Sequence, residues 1–303
     1  MDSIEIVSSV SVLLNEAIME MEKHVLDAGM GESVFWYRGH ADATWELQPT
    51  VLRTDHEELI CKTETDHSSR SLAVLNNERV LNRKFLSAAY PSLTDISKEI
   101  RVYFTAQHHG LPTRLLDWSL NPLVALYFAC YDKLGSETEK GRDGCVYRLY
   151  PRELPGIWSG ENNSPPSPYD DIVFDFRLQV EEIIQDCLFQ SSPNKYPHLP
   201  VIPVMPTAVS PRIVAQSSRF TFHPPIFDQN SKVIQSPVSL IDIFADKEYA
   251  LKRYIIPSRN KKNILVELNR LGIHRYSLFP DLDNLALHLK TIYCDRTMYM
   301  PVQ

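Results

Sequence analysis

The amino-acid sequence predicts an α+β fold, because segments with the periodicity of amphipathic helices alternate with short apolar runs typical of strands. The chain has 303 residues, of which 44% are apolar and 23% charged, close to the averages for globular proteins. This length is enough for one large domain or two ordinary ones. No stretch approaches the roughly 20 consecutive apolar residues that span a bilayer, so we expect no membrane partner.

The cysteines and the charge indicate a cytoplasmic protein. The five cysteines are scattered, odd in number and never spaced as Cys-x-x-Cys, which argues against a disulfide framework and a zinc site. Residues 1–5 are acidic, where a secretory signal would be basic. The net charge of −7 disfavours a protein that binds nucleic acid by bulk attraction.

The first predicted elements are a helix and a buried strand. Apolar residues recur every three or four positions from Ser8 to Ala28, which predicts an amphipathic helix. The run 34–37 is short, apolar and aromatic, and it predicts a strand that ends at Arg38. We expect Gly39 to form a tight turn after that strand.

The later elements follow from the same periodicities and from residues that begin or end helices. Asn121 followed by Pro122 predicts a helix start, with the asparagine as N-cap and the proline in the first helical position. Other helices are predicted at 71–89, 93–107, 180–189, 260–271 and 282–289. Strands are predicted at 113–118, 145–150, 201–204, 212–222 and 254–256.

An irregular region is predicted after Tyr150. Of the 21 prolines, 14 lie between Pro151 and Pro237, and proline interrupts both helices and sheet ladders. We therefore predict an N-terminal helical segment at 1–32 and one domain at 33–303, with a proline-rich insertion around 151–237.

Tyr37, Arg38 and His40 form the first candidate site. The guanidinium of Arg38 follows four apolar or aromatic residues, so we expect it at the lip of a cavity, where its planar fork suits a phosphate or a carboxylate. The alternative is that Arg38 pairs with a buried acid such as Asp117. Both interpretations require the same partly buried arginine.

Residues 107–118 form the second candidate site, in which two imidazoles, an amide, an arginine and an acid surround a glycine turn. Arg114 and Asp117 flank two leucines on a predicted strand, so their side chains should point to opposite faces. Only one of them can then share a pocket with Arg38.

Gln216 is the third candidate, on the predicted apolar strand 212–222. A buried amide usually satisfies backbone groups. It can also orient a hydroxyl or an amide of a substrate.

Several familiar sites are excluded by the motifs. None of the ten glycines falls in G-x-G-x-x-G or in a phosphate loop that ends in Gly-Lys-Ser/Thr. H-E-x-x-H and G-x-S-x-G are also missing from the sequence. His108 and His109 cannot hold one metal together from a helix, because helical neighbours point about 100° apart.

Three blocks of sequence resemble the FRG domain, which is named after its aromatic-Arg-Gly motif. They are Tyr-Arg-Gly-His at 37–40, Gln-His-His-Gly-Leu-Pro-Thr-Arg-Leu-Leu-Asp-Trp at 107–118 and Asn-Pro-Leu-Val-Ala-Leu-Tyr-Phe-Ala at 121–129. Residues 212–216 and 277–283 look like that family's closing segments. Residues 33–303 therefore resemble an FRG-type domain.

The order of these blocks is similar to that of the ADP-ribosyltransferase fold, which implies a mixed, largely antiparallel sheet core flanked by helices. Some FRG-type proteins are thought to be toxins of phage-defence toxin–antitoxin systems. The resemblance thus implies an enzyme that transfers ADP-ribose from NAD to a macromolecule such as RNA. It also implies a neutralising antitoxin protein.

The same resemblance implies roles for the candidate residues. Those expected to bind NAD are Tyr37, Arg38, His40, Gln107 and Arg114, with Arg38 gripping the phosphates. Those expected to be catalytic are Asp117, Gln216 and His109, the first two by orienting the ribose hydroxyls.

One departure from the transferase pattern keeps alternatives open. Gln216 stands where a glutamate is expected, so the acid is Asp117, Glu181, Glu182 or Glu267, or the domain binds a nucleotide without turnover. That second case is a nucleotide-sensing or interaction module of a defence or stress pathway. A hydrolase or nuclease, with or without a metal, is a further alternative that uses the histidines at 108 and 109 with Asp117.

Overall fold

The computed structural model describes residues 5–23, 35–53, 67–89, 99–131, 141–154, 184–186, 188, 201–205, 210–227, 233–235 and 239–294. Its strands are β1 (Glu5–Ile6), β2 (Trp36–His40), β3 (Leu115–Ser119), β4 (Gly144–Leu149), β5 (Ile202–Val204), β6 (Ser218–Phe222), β7 (Ile226–Phe227), β8 (Val233–Gln235) and β9 (Leu251–Ile256). Its helices are α1 (Val10–Lys23), α2 (His67–Ala89), α3 (Glu99–His108), α4 (Pro122–Cys130), α5 (Pro211–Ala215), α6 (Leu240–Ile243), α7 (Ser258–Arg270), α8 (Arg275–Leu278) and α9 (Leu282–Tyr293).

Seven strands form one sheet in the order β1-β9-β4-β2-β3-β6-β5. β1 and β9 run parallel, and all other neighbours in this sheet are antiparallel. Strands β7 and β8 form a separate hairpin. The predicted α+β class, with its mixed and largely antiparallel sheet, is confirmed.

The sheet opens between β2 and β3. β2 pairs with β4 at five positions, but with β3 only at Tyr37 and Ser119. β3 in turn pairs with β6 along its whole length. An opening of this kind leaves main-chain polar groups in need of partners, and the Arg38 side chain lies beside it.

Apolar side chains cover both faces of the sheet. On one face α1, α4 and α7 contribute Leu13, Val124 and Ile264 to a single buried cluster. On the other face Trp36 and Trp118 pack in a second cluster. Burial of each such side chain stabilises the fold by about 1.5–3 kcal/mol.

The helix start predicted at Asn121 is confirmed. The Asn121 side chain accepts a hydrogen bond of 2.9 Å from the main-chain nitrogen of Leu123, and Pro122 is the first helical residue. The helix that follows, α4, is apolar on all sides and mostly buried, as expected for a helix inside a core.

The turn predicted at Gly39 is wrong. Gly39 lies inside β2 and pairs with Val146, so Arg38 occupies the middle of the strand and not its end. A Cβ atom at position 39 would collide with the main-chain carbonyl of Ala125 in α4. The glycine is needed because a helix backbone approaches the strand closely at this point.

The strand predicted at 212–222 is wrong in its first half. Residues 211–215 form α5, and the hydroxyl of its N-cap, Ser210, accepts a hydrogen bond of 3.3 Å from the main-chain nitrogen of Ile213. Gln216 caps this helix, and Ser217, with a φ of 47°, reverses the chain into β6. Ser-Pro here is the same local signal as Asn-Pro at 121–122.

The other predicted elements are found with shifted ends. The strands at 115–119, 144–149, 202–204 and 251–256, and the helices at 10–23, 67–89, 258–270 and 282–293, match the predictions in kind. The helix predicted at 93–107 is described from Glu99 to His108, and of 180–189 only 184–186 and 188 are described, all helical. The division into 1–32 and 33–303 stays a prediction. None of the described helices has the length and apolarity to cross a membrane.

Candidate functional site

A cleft of about 230 Å³ lies at the opening between β2 and β3, enclosed by α3, α4 and α5. Its polar lining consists of Arg38, Gln107, His108, Asp117, Ser119, Arg212, Gln216 and Ser218. Its aromatic lining consists of Tyr37, Phe104, Trp118, Phe128 and Phe220. The cleft therefore combines two cations, one carboxylate and two amides with apolar ring surfaces.

Arg38 reaches across the opening in the sheet. Its Nη1 donates a hydrogen bond of 2.7 Å to the main-chain oxygen of Asp117, and its Nε donates one of 2.9 Å to Nε2 of His40. Nη1 is also 3.8 Å from the Asp117 carboxylate, whose side chain is 55% exposed. The ion pair is thus open to solvent and not buried.

The guanidinium of Arg38 keeps binding capacity on the cleft side. It has five N–H groups, and two of them make the hydrogen bonds described above. Burial lowers the pKa of Arg38 to about 10, while the nearby Asp117 opposes that shift. The group therefore remains a cation at neutral pH.

Gln107 holds the Asp117 carboxylate. The Thr113 hydroxyl donates to Oε1 of Gln107, which fixes the orientation of the amide. Nε2 of Gln107 then donates a hydrogen bond of 2.8 Å to Oδ2 of Asp117. Thr113 is fully buried, so this chain of hydrogen bonds orients the Asp117 carboxylate from the interior of the protein.

His40 lies behind Arg38 and does not line the cleft. Since its Nε2 accepts from Arg38, the ring proton of the neutral form is on Nδ1. Burial, reinforced by the charge of Arg38, lowers the pKa of His40 well below its usual value. His40 is therefore a neutral acceptor that positions the arginine.

One of the two adjacent histidines lines the cleft, although their ring centroids are only 4.8 Å apart. His108 lines the cleft, and burial together with Arg212 lowers its pKa to about 4, so the imidazole is neutral at pH 7. His109 is exposed outside the cleft lining, with its ring 6.4 Å from that of Phe85.

Arg114 is part of a buried cluster behind the strand. Its Nε donates a hydrogen bond of 2.8 Å to Glu78, whose other oxygen accepts one of 2.7 Å from the hydroxyl of Tyr103. The prediction that only one of Arg114 and Asp117 shares a pocket with Arg38 is confirmed, and that residue is Asp117.

Arg212 lines the cleft and was not among the predicted site residues. Its Nη1 donates a hydrogen bond of 3.0 Å to the main-chain oxygen of His108, and its guanidinium lies 4.5 Å over the Phe279 ring. Residues 212–222 were expected to form a strand, whereas Arg212 lies on helix α5, so its place in the cleft was not predicted. A basic residue just after Ser-Pro was the available signal.

Tyr37 and Gln216 line the cleft, but the amide nitrogen of Gln216 is hydrogen-bonded elsewhere, and the hydroxyl of Tyr37 is buried with no hydrogen-bond partner among the described residues. Nε2 of Gln216 donates a hydrogen bond of 3.0 Å to the main-chain oxygen of Leu278. Burial raises the pKa of Tyr37 to about 12, and its hydroxyl is subject to the charges of Arg148 and Glu20. Tyr37 therefore presents its ring to the cleft.

Asp117 is the carboxylate that lines the cleft among the described residues. Glu267 instead accepts a hydrogen bond of 2.9 Å from the nitrogen of Val10, at the start of α1. Glu181 and Glu182 lie outside the described residues. In the part of the chain that the structure describes, no group of three or more His, Cys, Asp or Glu could hold a metal.

The fold and the cleft define an α+β protein with a polar binding site at a split in its sheet. An FRG domain is found at residues 33–138, which confirms the resemblance drawn from the sequence. This span contains Arg38, Gln107 and Asp117, whereas Arg212 and Gln216 lie beyond it. No curated protein and no solved structure matches the chain.

Proposed function

We propose that the cleft binds NAD and that the protein transfers ADP-ribose from it to a macromolecule such as RNA. The observation that carries the proposal is the meeting of a cation, Arg38, and a positioned carboxylate, Asp117, in one cleft. In this proposal the protein is a toxin that acts in the cytoplasm during phage defence and is neutralised by an antitoxin protein.

The cations account for binding of the pyrophosphate. The planar fork of Arg38 matches the geometry of phosphate oxygens, and Arg212 adds a second positive charge on the same lining. A volume of about 230 Å³ is below the roughly 300–1,000 Å³ of typical ligand pockets. The cleft then encloses one ring and its sugar, and the pyrophosphate lies at the mouth.

The carboxylate accounts for the chemistry. The bond between ribose C1′ and nicotinamide nitrogen breaks, and its electron pair leaves with the nicotinamide. C1′ then forms a bond to an oxygen or nitrogen of the acceptor, which loses a proton. Positive charge develops on the ribose, and Asp117, held by Gln107, stabilises that charge. The neutral imidazole of His108 is available to accept the proton.

A binding module without turnover is the second candidate. One observation favours it: the Asp117 carboxylate is already engaged by Gln107 and by Arg38. Gln216, which stands where a glutamate is expected, has no charge to offer in its place. The hydrolase alternative requires His109 in the site, but His109 does not line the cleft.

Incubation of the purified protein with NAD labelled on its adenylate phosphate tests the proposal. We expect label on RNA or protein acceptors and release of nicotinamide, both lost in Arg38→Ala and kept in Arg259→Ala. Arg259 is an exposed arginine of α7 and serves as the matched control. Saturable binding of NAD with no nicotinamide released would support the binding module instead.

A further inference from the structure

Four apolar residues form an exposed row along α9, which we call the α9 stripe: Leu282, Ala286, Leu289 and Tyr293. Leu282 is 81% exposed, Leu289 45% and Tyr293 72%, and Ala286 is also exposed. Spacings of four, three and four residues keep all four within an arc of about 60° at about 100° per residue.

The opposite side of α9 holds the helix on the protein. His288 is 8% exposed, and its ring stacks on that of His274 at 4.0 Å. The stripe therefore points away from the body of the protein. A continuous exposed apolar row of this kind marks an interaction surface.

Two opposite charges flank the stripe on the same side. Asp283 follows Leu282 and Lys290 follows Leu289, so they are seven residues, or about 10 Å, apart on one edge of the helix. Both residues are exposed. The edge is thus acidic near the start of α9 and basic near its end.

We propose that the α9 stripe is a homodimer interface, in which α9 packs antiparallel against α9 of a second copy of the chain. A two-fold axis midway between Ala286 and Leu289 places Leu282 opposite Tyr293 of the second copy, and Ala286 opposite Leu289. The small side chain thus faces a large one, as close packing requires.

The charges favour antiparallel packing and a second copy of the chain as the partner. The same axis brings Asp283 within about 3 Å, along the helix, of Lys290 of the second copy, and symmetry makes this pair twice. A parallel two-fold arrangement would instead place the charged edges of the two helices on opposite sides of the pair, so Asp283 of one copy would not meet Lys290 of the other. A surface that complements itself in charge and in size is suited to a second copy.

The dimer is expected to be weak and to lie beside the cleft. A stable interface buries roughly 800 Å² per partner, more than four side chains of one helix supply. We expect a dissociation constant on the order of 10 μM. The guanidinium of Arg212 lies 4.5 Å over the ring of Phe279, which is two residues before Asp281, the N-cap of α9, so the dimer interface begins near the mouth of the cleft.

Sedimentation velocity of the full chain from about 1 to about 300 μM tests the proposal. We expect a monomer–dimer equilibrium in which Leu289→Glu raises the dissociation constant at least about tenfold. Leu271→Glu is the matched control, because Leu271 is 57% exposed but lies off the stripe. Circular dichroism checks that each variant is folded.

Charge reversal distinguishes the second copy from any other occupant. Asp283→Lys alone and Lys290→Asp alone should each weaken the dimer about threefold or more, and the double variant should restore it. A chain that stays monomeric at every concentration would overturn the proposal. So would a dimer that is indifferent to Leu289→Glu, or one that the double charge reversal does not restore.

Discussion

Nη1 of Arg38 donates a hydrogen bond of 2.7 Å to the main-chain oxygen of Asp117, although 79 residues separate the two along the chain. The contact crosses the opening between β2 and β3, where Tyr37 and Ser119 are the only pair in register. The guanidinium thus satisfies a carbonyl that the sheet ladder leaves open. It also brings the two halves of the candidate site into one cleft.

Gln107→Leu should lower turnover without weakening the binding of NAD. The leucine removes the 2.8 Å hydrogen bond that holds Asp117, so the carboxylate no longer stays where charge develops. We expect kcat to fall by about tenfold or more with KM nearly unchanged. Steady-state assays of nicotinamide release measure both. Equal losses in kcat/KM and in binding would show that Gln107 binds NAD instead.

Gly39→Ala should destabilise the fold by about 2–4 kcal/mol. The new methyl group would collide with the main chain of α4 at Ala125 and force the helix away from β2. Gly141→Ala is the control, since position 141 has open space around it but a φ of +80°. Its cost should be about 1 kcal/mol. Urea denaturation compares the two, and a larger loss for the control would contradict the explanation.

Glu78→Ala should cost about 3–5 kcal/mol of stability. Glu78 is 1% exposed and neutralises the buried guanidinium of Arg114, so its removal leaves an unpaired charge in the core. Glu248→Ala, at an exposed position, should change stability by less than about 0.5 kcal/mol. A similar midpoint of urea denaturation in both variants would show that Arg114 finds another partner.

Stability should fall as the pH drops below 6.5. His40 has a folded pKa well below its ordinary value of 6.5. Below pH 6.5 the unfolded chain therefore binds more protons than the folded chain, and protonation stabilises the unfolded state. The contribution of His40 is complete above pH 6.5 and is lost progressively below it.

The variant His40→Gln tests the source of that pH dependence. The glutamine oxygen can still accept from Arg38, but the side chain does not titrate. The slope of stability between pH 6.5 and 5 should flatten by up to about 1.4 kcal/mol per pH unit. Thermal melts at several pH values measure it. An unchanged slope would mean that His40 is not the group responsible.

Local signals in the sequence were enough for much of the fold. The N-cap and proline at 121–122 act within one helical turn, and the apolar run after them can only be a buried helix, so α4 was predicted correctly. Ser210 and Pro211 carry the same signal, but only five helical residues follow them. The apolar run then resembled a strand, and Arg212 was missed with it.

Features that depend on contacts between residues far apart in the sequence could not be predicted from local signals. Gly39 is required by the approach of Ala125, and no residue near Gly39 in the sequence indicates that approach. Alternation along β2 places Arg38 and His40 on one face, but only the packed structure shows that His40 lies behind the arginine. A pairing of Arg38 with Asp117 is one of the two interpretations that the sequence allows, and the opening in the sheet supplies its physical cause.

Calorimetric titration of NAD into the purified chain tests the central claim most directly. We expect one site per chain, weakened at least about tenfold by Arg38→Ala and unchanged by Arg259→Ala. Asp117→Asn should still bind NAD but should release no nicotinamide. Absence of binding to the unaltered chain, or equal affinity in Arg38→Ala, would contradict the assignment of the cleft as a nucleotide site.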